Sequence, residues 1–123
     1  MKVLITGGTG FIGKQIAARL LELKTFTFDN GQTQSIDKII LFDAFAGEGV
    51  PAHPHIEVVT GDIADPAIVK KITQDVAVIW HLAAVVSAAA EADFDLGMKV
   101  NLYGLLNLLE TVRQHNQQPT FIF

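Results

Sequence analysis

An α/β fold, a doubly wound parallel sheet, is what this sequence predicts, and three observations carry the prediction. Strand-like apolar runs alternate with helical patterns along the chain, the arrangement that buries a parallel sheet under helices on both faces. The first strand runs straight into the spaced glycines of Thr6-Gly7-Gly8-Thr9-Gly10-Phe11-Ile12-Gly13. The second strand ends in an acid, Asp43. Together these describe a Rossmann-type NAD(P)-binding domain over residues 1–123.

Val3 to Thr6 reads as a buried strand. Ile12 to about Leu23 reads as a helix, because Ile12, Ile16, Ala17, Leu20 and Leu23 recur at helical spacing among polar neighbours. Residues 24–35 break the pattern. Asn30-Gly31 is a strong turn signal, so a loop or small hairpin precedes the second strand. That strand is Lys38 to Asp43. Residues 44–54, small and punctuated by prolines, are a loop. Ile56 to Thr60 is the third strand, followed by Gly61-Asp62. Asp65-Pro66 reads as an N-cap with proline at the first helical position, opening a short helix to about Gln74. Val76 to Trp80 is the fourth strand and leads into His81-Leu82-Ala83-Ala84. From about Ala88 to His115 the chain favours helix, with an interruption expected near Gly97 and an apolar face of Leu102, Leu105, Leu106, Leu109 and Val112. Pro119 ends it. Thr120 to Phe123 opens a fifth strand. The sheet is therefore expected to be truncated in or after that strand, as a piece of a longer protein.

Composition narrows the function. Half of the residues are hydrophobic and 18% are charged, enough apolar material for a substantial core. The net charge is −4 and the cations are scattered, which argues against nucleic acid. There is no cysteine, hence no disulfide framework or thiolate metal site. No run approaches a membrane span or a signal peptide, so a cytoplasmic location is expected.

The glycines carry the chemistry. Gly7 allows a sharp turn, Gly10 a close approach to a pyrophosphate, and Gly13 close packing of helix on strand. The N–H groups at the helix start then face the phosphates. The alternative is a plain strand-to-helix turn. Asp43 fits an acceptor for the adenosine ribose hydroxyls. It follows Gly13 at more than the usual interval of about 20 residues, and residues 24–35 account for the excess. No lysine or arginine lies between Lys38 and Lys70 to hold a 2′-phosphate, which favours NAD over NADP. Otherwise Asp43 is a solvated loop acid. Asp62 suits the adenine amino group with Ile63 packed on the ring, or else it is a turn residue or helix cap. Leu82, Ala83 and Ala84 are small enough for a cofactor to lie along the backbone. His81 is read as structural rather than catalytic. Ser87 is a candidate substrate contact or an ordinary loop serine. Asn101 points inward to the site or is an exposed helix residue. His53-Pro54-His55 lacks partners at ligand spacing, so no metal is expected.

In order along the chain, the glycine run, Asp43, Gly61-Asp62-Ile63, His81-Leu82-Ala83-Ala84 and Asn101-x-x-Gly104-x-x-Asn107 resemble the extended short-chain dehydrogenase/reductase family, also called the NAD-dependent epimerase/dehydratase family. The resemblance covers the whole chain. It implies cofactor contacts from Phe11, Ile12 and Asn101 besides the residues above, and NAD as cofactor. His81 through Ser87, with Glu91 to Met98 and the insertion after the first helix, is similar to the D-erythronate dehydrogenase branch, which oxidises a four-carbon sugar acid. A nucleotide-sugar epimerase or dehydratase is the alternative within the family, and a stand-alone NAD-binding module the alternative outside catalysis. The family's chemistry rests on a Tyr-x-x-x-Lys pair, in which the tyrosine is the general acid/base. Here the only tyrosine is Tyr103, and Asn107 stands four residues beyond it. No catalytic residue is therefore expected in this chain, and the chain alone is expected to be inactive. The resemblance also implies a small-molecule substrate, a sugar acid or nucleotide sugar, and a homodimer through the long helix near residues 90–116.

Overall fold

The computed structural model describes residues 1–115 and 118–123. Strand β1 (Lys2–Thr6) leads into α1 (Phe11–Leu23), a hairpin of β2 (Thr25–Thr27) and β3 (Thr33–Ser35), then β4 (Lys38–Asp43), β5 (Ile56–Thr60), α2 (Pro66–Ile72) and β6 (Val76–His81). Short helices α3 (Ser87–Ala92) and α4 (Phe94–Gly97) follow, then a π-helix over Met98–Gly104, α5 (Leu105–Gln114) and β7 (Thr120–Ile122). Five strands form one sheet in the order β5-β4-β1-β6-β7, and every pairing in it is parallel. The doubly wound expectation holds.

Alternation along the strands explains the two cores. Leu4, Ile40, Phe42 and Ile79 face one side with Ile63, Val69, Ile72 and Leu108. Val3, Ile5, Ile39, Leu41 and Val78 face the other with Ala17 and Leu20 of α1. Successive side chains of a strand point to opposite faces, so a sheet covered on both sides needs apolar residues throughout.

Residues 24–35 form the small hairpin. The Asn30 side chain accepts the Gln32 N–H at 2.9 Å in its turn, and Phe26 packs edge-on against Trp80 with ring centroids 5.6 Å apart. At α2, the Asp65 carboxylate accepts the Ala67 N–H at 2.9 Å, and Pro66 takes the first turn.

One expectation about the long C-terminal helix is refined and another corrected. The α-helical pattern does change near Gly97, where α4 ends and the π-helix begins, but the chain leaves helical geometry earlier, at Asp93. Asp93 is non-helical (φ −138°, ψ 89°) and its carboxylate caps α4 through the Leu96 N–H, whereas Gly97 stays helical. The buried face also differs. Gly104, Leu108 and Thr111 point inward, with Val100 and Val112 packed beside them. Leu102, Leu106 and Leu109 are 41%, 52% and 43% exposed. The π-helix is wider than an α-helix, with bonds spanning five residues. Leu106 and Leu108 share the regular helix α5, where positions two apart are about 200° around the axis, so they lie on nearly opposite faces and only Leu108 meets the core.

Candidate cofactor site

The C-terminal ends of β1, β4 and β6 border a cavity of about 700 Å³ at the point where strand order reverses, the position at which open α/β sheets take ligands. Its floor comes from Gly7 and Gly10, with Asp43 on one flank and Leu82, Ala83, Ala84 and Val85 on another. Gly61, Asp62 and Ile63 close the far end, and Leu96, Lys99 and Val100 form a roof.

Gly7 has φ +67°, and a Cβ there would lie 2.8 Å from the Leu82 carbonyl carbon. The loop therefore sits directly on the segment after β6. At Gly13 a Cβ would lie 2.6 Å from the Gly7 carbonyl oxygen, so α1 packs against the loop backbone. Gly10 is the N-cap of α1 and brings no side chain to it. Among the described residues, the N–H groups of Phe11, Ile12 and Gly13 meet no acceptor, which leaves donors for an anion beside the cavity. Phe11 and Ile12 have exposed side chains that do not line the cavity. Their contribution is confined to the backbone.

The Asp43 carboxylate is fixed at the cavity wall. One oxygen accepts the Thr9 N–H at 3.2 Å and the other its neighbour Ala44 N–H at 2.8 Å. The Thr9 hydroxyl donates to the Phe45 carbonyl at 3.0 Å, tying the glycine loop to the loop after β4. Asp62 accepts the Ala64 N–H at 2.9 Å on Oδ1, while Oδ2 pairs with the Lys99 ammonium. The Lys99 ammonium, then the Ala64 N–H, hold its carboxyl below the usual range. Ile63 is 4% exposed and shows only an edge to the cavity, because its side chain lies under Gly104. A Cβ at Gly104 would come within 2.5 Å of it.

Asn101 is not in the wall. Its amide accepts the Val85 N–H at 2.8 Å and donates to the Val85 carbonyl at 3.0 Å. With both ends of the amide engaged, it braces the cavity lining instead of facing a cofactor. Asn107 does similar work, donating to the Ile63 carbonyl at 2.9 Å. The Asn101, Gly104 and Asn107 pattern is thus a clamp that seats the π-helix and α5 over the site. Ser87, expected as a substrate contact, is exposed at the start of α3 and does not line the cavity. His53 and His55 lie outside it, with ring centroids 5.1 Å apart. Among the described residues no helix is long and apolar enough to cross a membrane.

His81 has a structural place. The Ala83 N–H donates to the buried Thr6 hydroxyl at 3.3 Å, and that hydroxyl lies 2.7 Å from His81 Nδ1. Burial pushes the imidazole below its ordinary value of 6.5. The unfolded chain then takes up a proton at higher pH than the folded one. The stabilisation is full above 6.5 and is lost as pH falls from there toward the folded value. Thermal midpoints measured against pH are expected to decline through that window. A His81→Phe variant, less stable throughout, is expected to lack that decline; an unchanged slope would remove the buried neutral ring as its cause.

Lys99, Leu96 and Val100 have no counterpart in the sequence reading. One signal was available: Lys99 is the sole lysine or arginine between Lys71 and Arg113. Thr6 and Thr9 inside the glycine run are hydrogen-bonding groups whose roles the glycine spacing does not reveal.

Comparison with known proteins agrees with this geometry. The chain is 48% identical to D-erythronate dehydrogenase of Cupriavidus necator over its whole length, which covers 38% of that protein. It is 36% identical to D-erythronate dehydrogenase of Haemophilus influenzae over the whole chain, which covers 37% of that relative. The chain thus spans well under half the length of the curated relatives it matches. Among solved structures, a nucleoside-diphosphate-sugar epimerase from Agrobacterium tumefaciens superposes with a TM-score of 0.82 at 31% identity, over 98% of this chain and 36% of that one. A uronate dehydrogenase from the same organism, crystallised with NAD, gives 0.75 at 28% identity, over 98% and 38%. The family described as 3-beta hydroxysteroid dehydrogenase/isomerase matches residues 4–123. With that match spanning nearly every residue, the chain belongs to the 3-beta hydroxysteroid dehydrogenase/isomerase family, among the extended short-chain dehydrogenases that its motifs resemble.

Proposed function

We propose that residues 1–123 are the NAD-binding Rossmann domain of a dehydrogenase that oxidises a small sugar acid resembling D-erythronate. One observation carries the cofactor reading: Gly7 and Gly10 of the loop that opens α1, Asp43 and Asp62 line a single cavity at the strand-order switch. In this reading the α1 N-terminus and Gly7, Gly10 and Gly13 hold the pyrophosphate. Asp43 accepts from the adenosine ribose. Asp62 and Ile63 meet the adenine, and Leu82, Ala83 and Ala84 flank the rest of the cofactor. Asn101 acts through Val85, and Ser87 keeps a substrate role only if α3 approaches the site when substrate is bound. NAD when bound supplies the hydride acceptor. This chain's own residues bind and orient it, and the hydroxyl proton needs a base that Tyr103, exposed on the π-helix with no lysine at 107, does not provide. The isolated chain is accordingly a binder without turnover.

Relatedness supports the sugar acid. Identity to the erythronate enzyme is 48%, against 33% for CDP-paratose 2-epimerase of Salmonella typhi and 32% for a steroid dehydrogenase of Mycobacterium tuberculosis. The fold likeness to a nucleoside-diphosphate-sugar epimerase keeps the nucleotide-sugar reading as the second. The exposed Leu102, Leu106 and Leu109 support a homodimer through the helix near 90–116, and the reading carries a cytoplasmic location with it.

Titration calorimetry of the chain with NAD is expected to give saturable heat, with NADP much weaker. The complete enzyme with D-erythronate and NAD is expected to raise NADH absorbance. Binding without that rise would move the substrate to nucleotide sugars. Absence of NAD binding would end the cofactor reading.

A further inference from the structure

We infer that Lys99 recognises the purine of the dinucleotide jointly with Asp62, as the donor half of a donor–acceptor pair that selects adenine. The inference rests on the reading that Asp62 faces the adenine. The two residues come from opposite walls of one cavity, Asp62 from the turn after β5 and Lys99 from the π-helix roof. Asp62 Oδ1 is already used by the Ala64 N–H. Oδ2 accepts from Lys99 and has capacity for a further donor, and Asp62 lines the cavity. An ammonium has three N–H groups. Among the described residues, Asp62 is the only partner of Lys99, and both side chains remain about half exposed. The pair therefore offers the cavity an acceptor beside unused donors.

Adenine matches that order. Its C6 amino group donates, and a ring nitrogen on either side of C6, N1 or N7, accepts. Hypoxanthine carries an oxygen at C6, which would face the carboxylate with a lone pair. The lysine also offsets the carboxylate charge, which would otherwise repel an anionic dinucleotide. Its placement is set by the fold: Gly104 seats the π-helix on Ile63, and Asn101 clamps it to Val85. Free rotation of a surface lysine would not keep a donor at a fixed distance from Asp62.

The test is binding of NAD, its 1-deaza and 7-deaza analogues and its hypoxanthine analogue to the native chain, Lys99→Met and Lys99→Arg. The native chain is expected to bind NAD about five- to tenfold more tightly than one of the deaza analogues, the loss of one charge-assisted hydrogen bond at a half-exposed site. In Lys99→Met that deaza penalty disappears while the hypoxanthine penalty, set by Asp62, persists. Lys99→Arg restores the deaza penalty. A purely structural lysine would weaken all four ligands equally, and that result overturns the proposal, as does a deaza penalty unchanged in Lys99→Met. If NAD binds natively with no deaza penalty, only the role of Lys99 fails. If NAD does not bind at all, the cofactor reading fails and takes this inference with it.

Discussion

Gly7→Ala is expected to cost the fold about 2–5 kcal/mol, from a left-handed backbone that an L side chain disfavours and from a methyl group forced into occupied space. The φ of +67° supplies the first part. The second comes from the new Cβ, which would stand 2.8–2.9 Å from the Leu82 carbonyl and the Ala83 nitrogen. These are backbone atoms of the cavity wall and have no rotamer in which to retreat. The displacement would also open the contact between glycine loop and β6, so NAD binding is expected to fall with stability. Gly31 is the control. Its φ is +80° in the hairpin turn, but no atom lies within 4 Å of its would-be Cβ. Gly31→Ala therefore carries the backbone cost alone, about 1–2 kcal/mol, and leaves NAD affinity unchanged. Denaturant unfolding of both variants separates the two contributions. Equal losses at the two positions would show that the Leu82 contact does not constrain the loop.

Asp43→Ala is expected to lower NAD affinity by roughly 30- to 150-fold, about 2–3 kcal/mol, for the loss of charge-assisted hydrogen bonds to two ribose hydroxyls at a partly exposed site. Part of the loss is local. Asp43 also accepts from Thr9 and Ala44, so truncation loosens the loop that carries the glycines. Asp43→Asn keeps an acceptor oxygen and loses the charge, and is expected to fall between native and alanine. Discrimination against NADP should shrink in both, because the repelling carboxylate is gone. It should not reverse. The cation that reaches the loop after β4 is Lys14, from α1, and its ammonium already donates to the Glu48 carbonyl at 2.7 Å. Calorimetry with both cofactors checks the series. An Asp43→Ala affinity for NAD within twofold of native would remove the ribose role.

Much of this molecule is legible without coordinates, for a local reason. Strands buried on both faces must be apolar at every position, so Val3–Thr6 and Lys38–Asp43 announce themselves. Asp65-Pro66 and Asn30-Gly31 encode their own backbone geometry within two residues. The glycine run is legible because its turn and close contacts leave few other residue types at those positions. The misreadings fall where a side chain's role depends on a distant segment. Asn101 reads as a residue either at the cofactor or exposed on the helix; it is exposed, and nothing local foretells that both halves of its amide close on Val85. Leu102, Leu106 and Leu109 have the spacing of a buried stripe and lie exposed, because Gly104, Leu108 and Thr111 repeat at the same spacing and contact with Ile63 and the sheet buries that stripe instead.

By itself, then, the sequence determined the strand–helix alternation, the glycine loop and the acids at the ends of the second and third sheet strands. Each follows from backbone sterics or from burial of a contiguous segment. Tertiary structure alone decided that Lys99 stands over Asp62, that Thr6 orients His81, and that Gly104 lets the roof settle on Ile63. These pairs lie far apart along the chain, and a hydrogen bond or van der Waals contact leaves no periodic trace in sequence. Only the parallel sheet, by bringing the ends of β1, β4, β5 and β6 to one edge, makes them neighbours.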